Sequence, residues 1–317
     1  RRNMARVRSA LEEPYAQGVN LRIPSLAFDV IKQAIKDGPV LVSVPRAGYS
    51  PRLVCDKCRA LATCASCNGP LVQTERSSDP MCRMCGTFAS GWSCSACKGT
   101  SLRATAIGAV RTAEELGRAF PGVPVRSSSA DHIVRQIDAR PCIVVATPGA
   151  APMAPNGYRA AVLLDGNVML SRPDLRATED TFQKWMECVS LVHPDGEVVV
   201  VANPDHVAVQ ALIRHDPIGF AQREISERAS VDLPPAKRLA VLTGQQDDID
   251  EFMSIVSLPE GVLVRGPVPF EGGMRLLLSV DRAKGNELAS ALKVATSVRS
   301  TRKKGGVVNI RFNPYDL

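Results

Sequence analysis

Eight of the chain's ten cysteines fall between positions 55 and 97 as four Cys-x-x-Cys pairs: Cys55/Cys58, Cys64/Cys67, Cys82/Cys85 and Cys94/Cys97. Two residues between cysteines let a tight turn aim both sulfurs at one tetrahedral ion, and two such pairs complete a closed four-thiolate site. Eight thiolates therefore make two sites, and soft ligands select zinc or iron–sulfur over magnesium or calcium. A closed site keeps no position for water, so the two expected Zn²⁺ ions hold the fold and do not catalyse. Spacing alone leaves the pairing open, because sequential and nested pairing both give two closed sites.

The residues between the pairs are mostly polar or small, Asp56, Ser66, Asn68, Asp79, Gly86 and Gly99 among them. Structural zinc contributes about 10 to 16 kcal/mol per ion, more than so small an apolar core supplies, so this stretch should fold only with metal. A disulfide framework requires a secreted context that the sequence does not show, and thioredoxin-type redox chemistry uses one pair in a strand–helix unit. A chaperone-type cysteine-rich module repeats glycine at set positions after each pair, which only Asn68-Gly69 approximates here. Cys142 and Cys188 stand alone and read as buried core residues. The four histidines show no metal-ligand or general-base spacing.

The chain that must position these sulfurs has 317 residues, 45% hydrophobic and 22% charged, the composition of a globular protein with more than one core. No apolar run reaches the roughly eighteen residues of a membrane span, and the opening Arg1-Arg2-Asn3-Met4 lacks the apolar stretch of a secretion signal. We expect a cytoplasmic protein with no membrane partner. The first residue is Arg and no clean element opens the chain, so we expect a C-terminal part of something longer. The net charge of +7 is uneven: residues 1–103 carry 15 Lys+Arg against 7 Asp+Glu, while residues 104–317 carry 24 against 25. A basic first third suits a polyanion such as DNA, because phosphate contacts draw on Lys and Arg whatever the base sequence.

Apolar periodicity places a helix from Ser25 to Gly38-Pro39, followed by a strand at Val40–Val44. After the cysteines, Thr112 with Glu115 reads as a capping box opening a helix to Phe120, and a second short helix is expected over Asp131–Asp138. Strands come next at Ile143–Ala146, Ala161–Leu164 and Val198–Val201, with a helix near Thr178–Val192 between the last two. Continuous apolar strands alternating with helices predict a parallel sheet covered on both faces, with the cysteine segment inserted into it. A helix from Asp216-Pro217 ends before Leu233-Pro234-Pro235, where a new domain should begin. Its elements run strand, helix, strand, strand, helix, strand, the split β-α-β order of ferredoxin-like domains. No internal repeat or low-complexity tract is present.

Several motifs together carry a resemblance. They are Val44-Pro45-Arg46-Ala47-Gly48-Tyr49 before the first pair, the four pairs at their spacing, Phe120-Pro121-Gly122-Val123-Pro124, Leu233-Pro234-Pro235, Gly266-Pro267-Val268-Pro269 and the Asn313-Pro314 ending. Along nearly its whole length the chain resembles the PriA, or primosomal protein N′, family of bacterial replication-restart proteins, which are superfamily 2 DNA helicases.

The resemblance implies an α/β fold: a RecA-like second helicase lobe with an inserted two-zinc module, followed by a small α+β ferredoxin-like domain. The implied boundaries are 1–50 and 104–230 for the lobe, 51–103 for the module and 231–317 for the last domain. It also implies nested zinc ligation, Cys55, Cys58, Cys94 and Cys97 on one ion and Cys64, Cys67, Cys82 and Cys85 on the other. Implied partners are forked or single-strand/double-strand DNA junctions, other primosome proteins, the replicative helicase and its loader, and single-stranded DNA-binding protein, in a nucleoid-associated cytoplasmic setting.

Candidate DNA contacts are Arg46, Arg52, Lys57, Arg59, Arg76 and Arg83 near the cysteines, with Trp92 as a base-stacking platform. The basic cluster Arg299, Arg302, Lys303 and Lys304 either touches phosphates or caps its helix. Helicase chemistry needs a phosphate-cradling loop, an acidic pair for Mg²⁺ and an arginine at the γ-phosphate. Neither of the first two is recognisable. Where the family carries Gln-Val-Ala-Gly-Arg-Ala-Gly-Arg, this chain runs Cys188 to Asp195, with Val192 and Asp195 at the arginine positions. Likewise, the family's Lys-Gly after the strand ending at Thr147 is replaced around Pro148–Ala151. The expectation is a restart factor that binds forks and helps load the replicative helicase without hydrolysing ATP. Two other readings are an active ATP-dependent 3′ to 5′ helicase and a zinc-stabilised protein-docking platform.

Overall fold

The computed structural model describes residues 4–11, 13–14, 20–21, 23–46, 53–58, 60–73, 79–82, 85–104, 109–172, 174–270, 272–302 and 305–315. Two compact units divide the chain, residues 1–217 and 218–317.

In the first unit the order is β1 (Arg6–Ala10), the short pair β2 (Glu13–Pro14) and β3 (Asn20–Leu21), α1 (Ser25–Ala34) and β4 (Val40–Ser43). Four short strands of the cysteine segment come next: β5 (Leu53–Cys55), β6 (Leu71–Val72), β7 (Met81–Cys82) and β8 (Leu102–Ala104). Then come α2 (Ala109–Ala119), β9 (Val125–Ser128), β10 (Ile143–Ala146), β11 (Tyr158–Leu163), α3 (Gly166–Leu170), α4 (Ala177–Ser190), β12 (Val192–Val201) and α5 (Val207–Arg214).

Six strands form one sheet in the order β1-β12-β11-β4-β10-β9, and every pairing in it is parallel. The central strand β4 pairs Val40 with Ile143 on one side and with Ala160 on the other, and all four of its residues are buried. A parallel strand covered on both faces has no solvated side, which is why Val40-Leu41-Val42 reads as an unbroken apolar run. Helix α1 buries Ala27, Val30 and Ile31, positions i, i+3 and i+4, against Val40, Val42 and Val162. The cysteine segment leaves this sheet after β4 and returns to it through α2 and β9.

Two helix readings change. Helix α2 begins at Ala109, three residues before Thr112, so Thr112 lies inside it; Ala109, Thr112 and Leu116 form its buried stripe. Core burial, with apolar spacing of three and four residues, outweighs the local capping signal.

Residues 131–138 form no helix. Ser128 Oγ donates to the Ala150 carbonyl at 2.6 Å and accepts from the Val134 N–H at 2.9 Å. Ser129 and His132 then close a turn, and Gln136 bridges to Met153. Those bonds satisfy the backbone in an extended path, the alternative that small hydroxyl residues offer to a helix. The edge strands β1 and β9 carry no apolar signature, because Arg6–Ala10 and Val125–Ser128 mix polar with apolar residues.

The second unit runs α6 (Pro217–Ser230), β13 (Lys237–Gly244), α7 (Gln246–Ile255), β14 (Leu263–Phe270), β15 (Gly273–Asp281), a 3-10 turn, α8 (Gly285–Arg302) and β16 (Asn309–Phe312). From β13 onward this is β-α-β-β-α-β, and the antiparallel sheet order β14-β15-β13-β16 is the one a split β-α-β arrangement predicts. Ile249 and Phe252 of α7 and Leu288, Leu292 and Ala295 of α8 cover one sheet face, meeting Ala240, Leu242, Leu276, Leu278 and Val280. Strand β14 passes through a register shift between Arg265 and Val268 before reaching Phe270.

Replacing Ser128 with Ala leaves the Val134 N–H and one acceptor without their partner. It should cost about 1 to 3 kcal/mol in urea unfolding and raise amide exchange across residues 129–138 first.

Candidate metal centre

Each Cys-x-x-Cys pair is closed by the same backbone hydrogen bond. The N–H of the first cysteine donates to the carbonyl five residues on: Cys55 N to Ala60 O at 2.8 Å, Cys64 N to Gly69 O at 2.9 Å, Cys82 N to Thr87 O at 2.8 Å and Cys94 N to Gly99 O at 2.8 Å. Among the described residues, those after the second cysteine of the last three pairs take a positive φ: Asn68 at 57°, Gly86 at 73° and Lys98 at 60°. There each N–H returns to the carbonyl of the first cysteine at 2.9 Å. Gly and Asn enter that conformation at little cost, whereas Lys98 adopts it against its side chain. A local repeat therefore exists that the sequence does not reveal, because the four turns share little beyond cysteine.

The fold brings the turns together in nested fashion. Sγ atoms of Cys55, Cys58, Cys94 and Cys97 form one set, and those of Cys64, Cys67, Cys82 and Cys85 form another, each set lying within 4.8 Å. Across the outer set Cys55 meets Cys97 and Cys58 meets Cys94, both at 3.5 Å. Across the inner set Cys64 meets Cys85 at 3.7 Å and Cys67 meets Cys82 at 3.4 Å. Sulfurs about 2.3 Å from a tetrahedral ion stand about 3.8 Å apart, so both sets fit a four-thiolate ion. Strands β5 and β8 pair antiparallel and carry the outer turns; β6 and β7 do the same for the inner ones.

Electrostatics agrees with the need for a cation. In the outer set the N–H of Cys97 chiefly pulls the Cys94 thiol down to about 6. The Ala60 N–H favours the Cys58 thiolate, yet Cys97, burial and the sulfurs of Cys94 and Cys55 together push it up to about 12. In the inner set the Thr87 hydroxyl, 3.2 Å away, chiefly pulls Cys85 down to about 6. The Gly69 N–H favours the Cys67 thiolate, yet Cys82 and Cys85 push it up to about 12. Four sulfurs this close cannot all ionise unless positive charge enters among them. The apolar support is small: Leu53, Ala62 and Leu71 are buried with Cys64 and Cys82, with Ala89, Trp92 and Leu102 packed around them.

The basic and aromatic candidates fare unequally. Arg46 is exposed and donates from Nη2 to the Pro148 carbonyl at 3.3 Å; Lys57 is exposed in the first turn. Trp92 is half-buried against the module's apolar cluster, so its ring serves that core, and the open aromatic is Phe88, 66% exposed, which sequence reasoning missed. Its one signal in the sequence is its place three residues after Cys85, just beyond the third turn.

Arg299 is a correction. It is 8% exposed and holds Asp248 Oδ1 at 2.6 Å and Glu251 Oε2 at 3.0 Å, tying α8 to α7, so it is a structural ion-pair centre and offers no phosphate contact. Arg302 ends α8, its side chain lying outside the described residues together with Arg52, Arg59, Arg76, Arg83, Lys303 and Lys304. Cys142 and Cys188 are buried, and burial pushes both thiols up, Cys188 to about 11.

A parallel α/β sheet that extrudes two nested four-cysteine clusters, in a chain that also holds a β-α-β-β-α-β unit, defines a class of multidomain proteins with a cysteine-rich module able to hold two metal ions. Residues 229–315 match the family model described as the Primosomal protein N C-terminal domain. The chain is 42% identical over 321 residues to the probable replication restart protein PriA of Mycobacterium tuberculosis, covering 93% of this chain and 49% of that protein. It is 40% identical over 314 residues to the protein of that name from Mycobacterium leprae, and 24% identical over 266 residues to the replication restart protein PriA of Thermotoga maritima, there covering 76% of this chain and 35% of the relative. The chain belongs to the PriA family, carrying its C-terminal region, and spans about half the length of the curated mycobacterial relatives it matches.

Stripping metal with a strong chelator should abolish exchange protection across residues 53–104 while the six-stranded sheet keeps its own. Because each bound sulfur must shed a proton, chelator competition should show metal affinity falling steadily from about pH 8 to about pH 5. Arg299→Ala leaves two carboxylates unpaired and should destabilise the second unit by about 3 kcal/mol in urea unfolding, with Arg299→Lys recovering part of the loss.

Proposed function

We propose that this chain works in replication restart as a DNA-binding primosome component whose two clusters each hold a structural Zn²⁺. The observation that carries the reading is the likeness across 93% of the chain to proteins named for replication restart. Supporting it, the described donor sets fit closed four-thiolate zinc, and the first third of the chain is basic. In this reading the first unit corresponds to a RecA-like helicase lobe and the chain engages forked DNA, the replicative helicase and its loader. Among the described residues no helix is long and apolar enough to cross a membrane.

The chain is proposed not to hydrolyse ATP. Val192, buried, and Asp195, exposed near the start of β12, stand where the family's arginines would face the γ-phosphate. The adjoining hollow of 290 Å³ is lined by Met153, Ala154, Asn156, Gly157 and residues 190–194, none of them Lys or Arg. Neither a valine nor an aspartate stabilises charge developing on a transferring phosphoryl group, a role worth about 10³ to 10⁵ in rate for an arginine.

Charge also divides the labour. Residues 51–103 carry seven Lys+Arg against three Asp+Glu, and eight thiolates around two divalent ions cancel that surplus. A loaded module near neutrality adds little to long-range DNA attraction, so the net positive field belongs to residues 1–50, with eight Lys+Arg against four Asp+Glu. The same neutrality, with Phe88 exposed, favours protein docking as the module's own task.

On a forked duplex the purified chain should bind with a linear dependence of log affinity on log salt, and Arg46→Ala should shallow that slope by about one unit or less. Adding the same fork should stimulate no ATP hydrolysis; a clear DNA-dependent turnover would overturn the non-hydrolysing reading, and absence of fork binding the DNA-binding one.

A further inference from the structure

The two four-cysteine sets differ in how they face solvent. In the outer set Cys55 and Cys94 are buried and Cys58 and Cys97 half-buried. Its sulfurs are also roofed by backbone: a Cβ on Gly99 would stand 3.3 Å from Cys55 Sγ and 3.4 Å from Cys97 Sγ. In the inner set Cys64 and Cys82 belong to the module's apolar cluster, but Cys67 and Cys85 are exposed. Among the described residues, nothing stands within 4 Å of where a side chain on Gly86, the neighbour of Cys85, would begin. The inner set thus includes two solvent-exposed cysteines, and the outer set none.

Metal-bound thiolates remain nucleophiles, and their oxidation follows access. We propose that the inner set is an oxidation-sensitive metal site, at which a hydroperoxide converts Cys67 or Cys85 and the set discharges its ion while the outer set stays closed. The inference rests on the zinc reading of both clusters.

The chemistry needs one peroxide. The thiolate of Cys67 attacks one peroxide oxygen; the S–O bond forms, the O–O bond breaks, and the departing hydroxide takes a proton to become water. The Cys82 thiolate, 3.4 Å away on the facing turn, then attacks the sulfenyl sulfur. The S–S bond forms, the S–O bond breaks, and a second hydroxide leaves as water after taking a proton. Two thiolates have lost two electrons to the O–O bond, giving one disulfide. Cys85 with Cys64, 3.7 Å apart, offers the equivalent route. An ion left with two thiolates has lost half its ligands and exchanges into water. The two inner turns, with Phe88 just beyond the second of them, lose their cross-link, whereas the base at β5 and β8 keeps its own.

The test uses the zinc-loaded full chain treated with hydrogen peroxide, reading released zinc with a colorimetric chelator and each cysteine by differential alkylation and mass spectrometry. The expected result is two phases of release differing about tenfold or more in rate. The first phase should free one ion per chain as Cys67–Cys82 or Cys64–Cys85 disulfides appear, while Cys55, Cys58, Cys94 and Cys97 stay alkylatable. A thiol reductant with added zinc should restore the first ion. Release in one phase, or oxidation of the outer set first, overturns the inference. A chain that holds fewer than two zincs before any peroxide instead rejects the metal reading on which it stands.

Discussion

The cysteine segment of the first unit depends on sulfurs being held together. Between β4 and α2 the chain leaves a well-packed parallel core, and the apolar cluster in the described part of that excursion has only three buried aliphatic side chains, Leu53, Ala62 and Leu71, beside two of its own cysteines. Apolar burial of that size among the described residues offsets little of the segment's conformational entropy. The four turns gather their thiols into two sets within 4.8 Å, where mutual repulsion prevents full ionisation unless a cation shares the charge. In the proposed zinc-bound state, closure around an ion supplies the order that so small a core does not.

The host sheet explains why so long an excursion is tolerated. Strand β4 lies inside a sheet of six parallel strands, with all its residues buried between β10 and β11, so its position does not depend on the segment after it. A parallel sheet requires long crossovers in any case, because the chain must return to the starting edge before pairing again. The excursion after β4 occupies such a crossover, and β9 then enters at the sheet edge. Insertion at this point adds length to a connection without adding a residue to the core.

In the second unit an ion pair takes up a charge that the sequence offered to phosphates or to the helix end. Arg299 lies within a basic-looking run, but α8 turns it toward α7, where Asp248 and Glu251 hold it and Asp248 also accepts from the Gly306 N–H. Its charge is neutralised inside the unit. Sequence clustering of Lys and Arg records composition, whereas helical phase decides which of them meets solvent and which meets a carboxylate 51 residues away in sequence.

Short-range physics governed the part that could be read from the residues alone. Cysteine pairs with two residues between them declare tight turns able to bind metal, the runs at Val40, Ile143 and Val198 declare buried strands, and the order of elements after Leu233 declares a split β-α-β sheet. Likeness to a family supplied the nested grouping, which spacing left undecided and which the paired strands β5 with β8 and β6 with β7 impose in space. Other features were set only by the tertiary structure. Ser128 holds residues 131–138 extended because it finds partners in Ala150 and Val134, neither of them predictable from local propensity. Trp92 packs inward and Phe88 outward, and Cys67 and Cys85 reach solvent while Cys64 and Cys82 do not, because burial depends on which surfaces the folded turns leave uncovered. Local residue chemistry says which groups can bind an ion or form a strand; only packing among distant segments decides which of those groups water can still touch.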